Sequence, residues 1–194
     1  YGNPIPMAQS GALLGKTPQA IFAGGYFGHV LTSDGLTFAF GSNLTGQLGT
    51  GDFLQRLMPT PISTPSRVIK ATGGYGSTSA YLTNTGEVYL AGSSASGLIG
   101  DGSLPSVPSP VSLDASAFGG KPVATISGAG NHTLALTTDG SVYAWGNNAG
   151  NGQLGTGFAQ APTLTGGSSA FTPSANVPQL VTAGYKVAAL SAGS

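Results

Sequence analysis

Residues 132–146 read HTLALTTDGSVYAWG, and this stretch decides the fold. Two short runs of aliphatic and aromatic residues flank Asp139-Gly140, a dipeptide that tolerates the positive φ of a two-residue hairpin turn. The stretch therefore predicts an antiparallel β-hairpin. In its second strand, VYAW at 142–145, apolar side chains occupy both faces, so both faces of the sheet must be covered.

The same pattern occurs twice more upstream. Residues 29–41 read HVLTSDGLTFAFG, with the turn at Asp34-Gly35, and residues 81–92 read YLTNTGEVYLAG, in which Thr85 replaces the aspartate. The turns lie 51 and 54 residues apart, a period that suits one four-stranded blade. Each period also contains two further strand-like runs. We therefore expect an all-β chain of antiparallel four-stranded blades packed against one another.

Both ends of the chain fall inside a repeat. Residues 1–20 parallel the end of the second copy, and residues 187–194 open a fourth copy that is not completed. The whole chain, 1–194, is therefore interpreted as one partial domain. Because it begins at Tyr1 and shows no leader pattern, we interpret it as processed or as a fragment. The repeats lie at about 21–67, 68–122 and 123–186.

Composition excludes several classes of function. Charged residues make up 6% of the chain, and 33 of its 194 residues are glycine. Six Lys+Arg balance six Asp+Glu, so no basic surface is available for nucleic acid or anionic lipid. The absence of cysteine excludes disulfides and thiolate chemistry. No apolar run is long enough for membrane insertion.

The third copy, together with the segment GQLGTG at 152–157, resembles the regulator of chromosome condensation repeat. The resemblance covers about three and a half repeats, and the second copy is degenerate, with Leu98 where the others carry Gln47 and Gln153. It implies a β-propeller, usually of seven four-stranded blades, of which this chain supplies three to four. An open stack of blades exposes apolar faces and unpaired edges. We expect further blades, self-assembly or other subunits to cover them.

The candidate reactive residues form no catalytic, cofactor-binding or metal-binding pattern, so we expect no enzyme activity and no cofactor. Asp34 and Asp139 are turn residues, and the other carboxylates are not paired in sequence. The resemblance places His132 at a position where a histidine hydrogen-bonds within its blade, whereas His29 lies elsewhere. Trp145 and Phe40 are equivalent and are predicted to pack between blades. The predicted structural residues are Trp145, Phe40, His132, Asp34, Gly35, Asp139 and Gly140.

Two segments fit the rule for N-glycosylation, Asn43-Leu44-Thr45 and Asn131-His132-Thr133. Asn43 lies in a predicted loop, whereas Asn131 begins a predicted strand, so Asn43 is the better acceptor if the protein is secreted. Low charge, the absence of cysteine and abundant Ser, Thr, Gly and Ala favour an extracellular or cell-surface setting, although the compartment stays open.

Two functions are compatible with these features. The first is a non-enzymatic structural or protein-interaction module within a larger extracellular or surface assembly. The second, which the resemblance permits, is a guanine-nucleotide exchange factor for a small GTPase. Exchange needs charged groups directed at the nucleotide site, and the loops of this chain are nearly free of charge. The charge pattern therefore favours the interaction module.

Overall fold

A computed structural model of the chain describes residues 11–73, 77–102, 105–148, 152–156, 175–181 and 186–192. These residues form twelve β-strands and three short 3-10 helices and contain no α-helix, which confirms the all-β prediction. The strands are β1 (Pro18–Ala23), β2 (Phe27–Thr32), β3 (Thr37–Gly41), β4 (Arg56–Ile62), β5 (Val68–Gly73), β6 (Thr78–Thr83), β7 (Val88–Gly92), β8 (Val107–Ser112), β9 (Val123–Ala129), β10 (His132–Thr137), β11 (Val142–Gly146) and β12 (Ala175–Leu180).

The strands form three four-stranded antiparallel sheets, each in chain order. We call them blade 1 (β1–β4), blade 2 (β5–β8) and blade 3 (β9–β12). This arrangement confirms the partial propeller. Blade 1 begins at Pro18, slightly before the predicted repeat boundary, because Pro18 pairs with Thr32.

Every blade has two ends. The β2–β3, β6–β7 and β10–β11 turns lie at one end, which we call the turn end. The β1–β2 turn and the loops that follow β3 and β7 lie at the other, which we call the loop end. This follows from the antiparallel order, since alternate connections in such a sheet leave on opposite sides.

Adjacent blades pack face to face, with their first strands β1, β5 and β9 in contact one after another. Ile99 and Phe118 of blade 2 pack against Ile126 and Trp145 of blade 3 in a continuous buried cluster. Apolar packing of this kind contributes about 25 cal/mol for each Å² removed from water. The core of the molecule therefore lies between blades, and a blade without a neighbour exposes part of it.

The loop that follows the third strand of a blade holds the next blade in place. The backbone N–H of Gly51, in the loop of blade 1, donates to the carbonyl of Pro108 in blade 2 at 2.9 Å. The N–H of Gly102, in the loop of blade 2, donates to the carbonyl of Asn176 in blade 3 at 2.8 Å. Each loop thus fixes the fourth strand of the following blade.

Candidate interaction surfaces

In blade 1, the carboxylate of Asp34 stabilises the β2–β3 hairpin turn through hydrogen bonds. The Thr32 hydroxyl donates to Asp34 Oδ1 at 2.6 Å, and Lys16 Nζ donates to Asp34 Oδ2 at 2.6 Å. The hydrogen bond from Lys16, followed by that from Thr32, lowers the pKa of Asp34 to about 2. Gly35 has a φ of 88°, a conformation that favours glycine.

Blade 3 repeats this arrangement. The Thr137 hydroxyl donates to Asp139 Oδ1 at 2.7 Å and lowers the pKa of Asp139 to about 2, and Gly140 has a φ of 85°. In the degenerate blade 2, a hydrogen bond of 2.8 Å between the hydroxyls of Thr83 and Thr85 takes the place of the carboxylate. The aspartates therefore close turns rather than form a reactive site.

Trp145 is fully buried between blades 2 and 3. Its Nε1 donates to the carbonyl of Leu98 in blade 2 at 3.2 Å, and its ring meets Phe118 edge-on with centroids 6.0 Å apart. A Cβ added at Gly100 would lie 2.7 Å from Trp145 Cδ1, so the glycine provides the space for the indole. Phe40, the counterpart in blade 1, is only half-buried because the described residues include no blade before it.

Blade 2 carries Ala91 where the other blades carry Phe40 and Trp145. The large side chain in this blade is instead Tyr81 on β6, which is fully buried and packs in the same cluster as Ala91. Its hydroxyl lies 3.4 Å from the carbonyl of Leu48 in blade 1. The aromatic residue has thus moved from the third strand to the second, which the sequence pattern did not predict.

His29 makes a buried contact between blades that sequence reasoning missed. Its Nε2 lies 3.0 Å from the Tyr81 hydroxyl, and the two rings meet edge-on at 5.2 Å. Burial lowers the pKa of His29 to about 3 and raises the pKa of Tyr81. The imidazole is therefore neutral at physiological pH, and this contact joins blade 1 to blade 2.

His132 lies half-buried at the loop-end start of β10, and burial lowers its pKa. Phe27 is its counterpart, since each residue pairs with the last glycine of the third strand. Phe27 packs against the following blade, because a Cβ added at Gly73 would lie 2.6 Å from its ring. By this correspondence, His132 faces the side of blade 3 that is turned away from blade 2.

The structure corrects the choice of Asn43 as the accessible glycosylation residue. Asn43 has no solvent exposure, and its Nδ2 donates to the carbonyls of Asp52 at 2.8 Å and Leu54 at 3.1 Å. Its Oδ1 accepts from the N–H of Leu48 at 2.9 Å. A glycan on Nδ2 would have no path to solvent while this loop is folded, because the amide holds the loop from inside.

Asn131 is exposed in the turn between β9 and β10. The sequence pattern predicts that it begins a strand, but β10 begins one residue later, at His132. It is the sterically open acceptor of the two.

Asn148 is the counterpart of Asn43 in blade 3, and its Oδ1 accepts from the N–H of Leu154 at 3.2 Å. Asn43 and Asn148 lie at matching positions after β3 and β11. This recurrence in the sequence could have indicated that both asparagines hold their loops.

Blade 1 has an open face. Ile21 is 63% exposed, whereas Ala71 and Ile126, at the matching positions of β5 and β9, are 1% and 0% exposed. Leu57 on β4 is 90% exposed, whereas its counterpart Pro108 is half-buried under the loop of blade 1. These side chains face the side on which blades 2 and 3 each meet a preceding blade.

Residues 186–192 lie against the far side of blade 3. The N–H of Val187 donates to the carbonyl of Gly140 at 3.0 Å, as the N–H of Val123 donates to Gly86 at 2.9 Å. The N–H of Ala192 donates to Ser127 Oγ at 3.0 Å, as the N–H of Gly128 donates to Thr72 Oγ1 at 2.9 Å. These residues thus contact blade 3 as β9 contacts blade 2, and among the described residues no strand pairs with them.

The loop end of blade 1 carries a group of exposed apolar side chains. Tyr26 is 74% exposed, Leu44 is 83% exposed, and Phe53 and Leu54 are 49% and 67% exposed. We call these four residues the loop-end patch. Asp52 and Arg56 beside it form an ion pair at 2.6 Å, so the charge next to the patch is neutralised.

The described part of the chain gives no support for a metal site or a membrane-spanning helix. It contains no group of three or more His, Asp or Glu side chains that could hold a metal, and no helix in it is long and apolar enough to cross a membrane. A surface cavity of about 340 Å³ near the β6–β7 turn is lined by Glu87 and Asp114 among others. Both carboxylates already accept hydrogen bonds, from Thr85 and from the Ser116 N–H, so they stabilise local turns.

Models of the regulator of chromosome condensation (RCC1) repeat match residues 34–81 and 123–153. The chain is an RCC1-repeat protein. The first matched segment contains β3–β5 of blades 1 and 2, and the second contains β9–β11 of blade 3 with its complete β10–β11 hairpin. The resemblance seen in the sequence is confirmed.

Two proteins similar to this RCC1-repeat chain are considerably longer than it is. The ultraviolet-B receptor UVR8 of Arabidopsis thaliana is 32% identical over 139 residues, which are 71% of the chain and 31% of the receptor. The structure of human WBSCR16 matches with a TM-score of 0.70 at 25% identity and covers 89% of this chain and 42% of that one. The chain therefore spans less than half of either protein.

Prp20p of Saccharomyces cerevisiae, whose structure was reported with its binding properties to Gsp1p and histones, matches with a TM-score of 0.69. Its identity is 20%, and the match covers 87% of this RCC1-repeat chain and 39% of Prp20p. This likeness concerns the fold alone.

Proposed function

We propose that the chain is a structural and protein-interaction part of a β-propeller, without enzyme activity of its own, and that further blades cover both of its ends. The exposure of Ile21 carries this proposal, since the matching Ala71 and Ile126 are almost completely buried by the blade before them. A preceding blade would bury Ile21 in the same way and remove its side chain from water, which stabilises by about 1.5–3 kcal/mol.

The other end supports the same proposal. Residues 187–192 reproduce two contacts that β9 makes with blade 2, those of Val187 with Gly140 and of Ala192 with Ser127. A first strand in this position leaves a free hydrogen-bonding edge, which proteins generally pair or cover. The missing strands of that blade would come from further polypeptide or from another chain.

Contacts between blades in this chain are mostly uncharged. Of the three ion pairs among the described residues, two lie within blade 1, and the third joins exposed Lys186 to Asp139 at 3.7 Å. Exposed pairs of this kind contribute at most about 1 kcal/mol. Apolar packing and backbone hydrogen bonds therefore dominate, and association with further blades should depend little on salt.

Sedimentation of the 194-residue chain at about 50 and 500 mM NaCl tests the proposal, because that range spans a severalfold change in screening length. We expect association at both salt concentrations. A stable, well-folded monomer at both would contradict the proposal. Dissociation only at high salt, or salt-sensitive acceleration of guanine-nucleotide release from a small GTPase, would support the exchange-factor alternative.

A matched pair of variants identifies the surface. Ile21→Lys places a charge on the open face and should reduce association. Ile69→Lys is the control, because Ile69 lies on β5 and is 49% exposed even though blade 2 has neighbours on both sides. Equal loss of association in both variants would contradict the assignment of the open face.

The proposal retains the extracellular or cell-surface setting that the composition favours. If the chain is expressed in a secretory pathway, we expect a glycan on Asn131, because its side chain is exposed. Mass spectrometry should show that Asn131→Gln removes the glycan, whereas Asn43→Gln does not. A glycan on Asn43 of the folded protein would contradict this assignment.

A further inference from the structure

The loop-end patch is held by a rigid loop. Asn43 donates to the carbonyls of Asp52 and Leu54, which flank Phe53, and the N–H of Ser42 donates to the carbonyl of Tyr26 at 2.9 Å. The buried amide of Asn43 thus holds the segment that carries Phe53 and Leu54, and the backbone of Ser42, next to Asn43, holds the segment that carries Tyr26. A surface that is ordered before binding loses less conformational entropy when a partner docks on it.

Completion of the propeller would leave most of the patch in solvent. Blade 2 has a neighbour on each side, and its counterpart of Leu44 is Ala95, while that of Leu54 is Pro105; both are exposed. Asn131 in blade 3 is the counterpart of Tyr26 and is exposed although blade 2 precedes it. In blade 2, Ser77 at the Tyr26 position is half-buried, and the Thr45 hydroxyl of the blade 1 loop donates to its carbonyl at 2.9 Å. The positions of Leu44 and Leu54 therefore stay in solvent within a stack of blades, whereas a preceding blade partly covers that of Tyr26 and buries that of Ile21.

The apolar character is particular to blade 1. At the described counterparts of Tyr26, blades 2 and 3 carry Ser77 and Asn131, and at that of Leu44 blade 2 carries Ala95. The packing between blades does not require large side chains at these positions, since the smaller or polar residues serve there equally well. Tyr26 and Leu44 therefore need an explanation outside the fold.

The size and charge of the patch indicate its partner. Its four side chains expose roughly 600 Å² of surface, at the upper limit for a monomer and close to the about 800 Å² that one partner buries in a standard protein interface. The carboxylate of Asp52 is paired with Arg56, and burial of a neutralised pair against an uncharged partner avoids an unpaired charge. A basic surface for anionic lipid is missing there, because Arg56 is the only basic residue at the loop end of blade 1.

We propose that the loop-end patch of Tyr26, Leu44, Phe53 and Leu54 binds an uncharged, apolar segment of a partner protein. This inference rests on the proposed function, since it names the surface through which the propeller would interact. Tyr26 and Phe53 are the aromatic anchors, and aromatic residues of this kind dominate binding at protein interfaces. Asp52 and Arg56 form the polar rim.

Short random peptides displayed on phage, selected on the assembled protein, provide the probe. Selected peptides should be rich in apolar and aromatic residues and poor in charge. Their dissociation constants, measured by fluorescence anisotropy, should rise at least about tenfold in the double variant Tyr26→Ser/Phe53→Ser, as expected when anchor residues are lost. Raising NaCl from about 50 to 500 mM should change them less than about twofold.

The control is Leu14→Ser/Leu36→Ser, which removes two exposed apolar side chains at the turn end and should leave peptide binding unchanged. The inference is overturned if no peptide is selected, if binding survives Tyr26→Ser/Phe53→Ser, or if the selected peptides are charged and salt-sensitive. Cosedimentation with phosphatidylcholine or phosphatidylcholine/phosphatidylserine vesicles that is lost in the same variant would assign the patch to lipid instead. Intact association of the blades in these experiments would show that the proposed function stands independently.

Discussion

At the scale of single residues, an aromatic side chain of one blade reaches a leucine carbonyl of the blade before it. In blade 3 this is Trp145 at Leu98, and in blade 2 it is Tyr81 at Leu48. The two aromatic residues lie on different strands: Trp145 is on the third strand of its blade, whereas Tyr81 is on the second. In blade 2 the third strand carries the small Ala91 at the Trp145 position, and the large Tyr81 fills the interface instead. The second repeat thus keeps an aromatic contact with the preceding blade, although it lacks the aromatic residue of the repeat motif on its third strand.

Replacing Trp145 by alanine should destabilise the protein by about 3–5 kcal/mol, because a fully buried indole would leave a cavity between two blades. The equivalence of the two positions in the sequence alone predicts a similar cost for Phe40→Ala. The structure predicts a smaller one, since Phe40 is only half-buried. Denaturant titration of both variants tests this, and equal stability of Trp145→Ala and the wild type would contradict the assigned packing.

His29 should make the protein sensitive to mild acid. Its pKa is about 3 in the folded state, against an ordinary value of 6.5, so the unfolded chain binds a proton first as the pH falls. The stability associated with neutral His29 is therefore complete above about pH 6.5 and declines as the pH falls towards about 3, by up to about 1.4 kcal/mol per pH unit. Tyr81 and Phe27, whose rings lie against the imidazole, offer no compensating negative charge.

Urea denaturation between pH 4 and pH 7 measures this slope. In this range Asp34 and Asp139 add little, because the pKa values of about 2 mean that their main loss of stability occurs at lower pH. His29→Gln should flatten the slope, whatever its effect on total stability. His132→Gln should change it less, since His132 is only half-buried. An unchanged slope in His29→Gln would contradict the buried neutral imidazole.

At the scale of elements, the loops after the third strands act as rigid connectors between blades. The loop of blade 1 is built around the buried amide of Asn43, and that of blade 3 has Asn148 at the same place. Glycine at positions such as Gly46 permits close approach, since a Cβ there would lie 2.6 Å from Pro108 Cα. Order within the loop therefore determines the order between blades.

Asn43→Ala should destabilise the protein by about 3 kcal/mol, because it leaves the buried Leu48 N–H and the Asp52 carbonyl without their side-chain partner, while Leu54 keeps only its bond from Arg56. The adjacent Leu44→Ala is the matched control. It removes an 83% exposed side chain and should change stability by less than about 0.5 kcal/mol. Comparable losses in the two variants on thermal unfolding would show that the amide does not hold the loop.

At the scale of the whole molecule, the charged residues are concentrated at one end of the stack. Eight of the twelve charged residues lie at the turn end, whereas the loop end carries Asp52, Arg56 and Asp101. The open face of blade 1 and the free edge of residues 187–192 lie on the two sides of the stack. Under the two proposals, the first two surfaces would meet further blades and the third, the loop-end patch, would meet a partner.

The sequence by itself determined the blade and its repetition. Apolar residues at a period of two, Asp139-Gly140 at the turn and a recurrence about every 50 residues require only local geometry, because hairpin register is set by the turn and the alternation of faces. The same local signals predict that both ends of the chain fall inside a repeat. They could not reveal His29 against Tyr81, which lie 52 residues apart in the chain.

Only the tertiary structure decided which side chains lie between blades and which stay in water. Asn43 and Leu44 are neighbours in one loop, yet one is fully buried and the other is 83% exposed, because the loop folds around the amide. Ile21 and Ile126 occupy matching positions and differ in exposure because, among the described residues, only Ile126 has a blade before it. Burial depends on neighbours that are distant in the chain, and a local pattern contains no information about them.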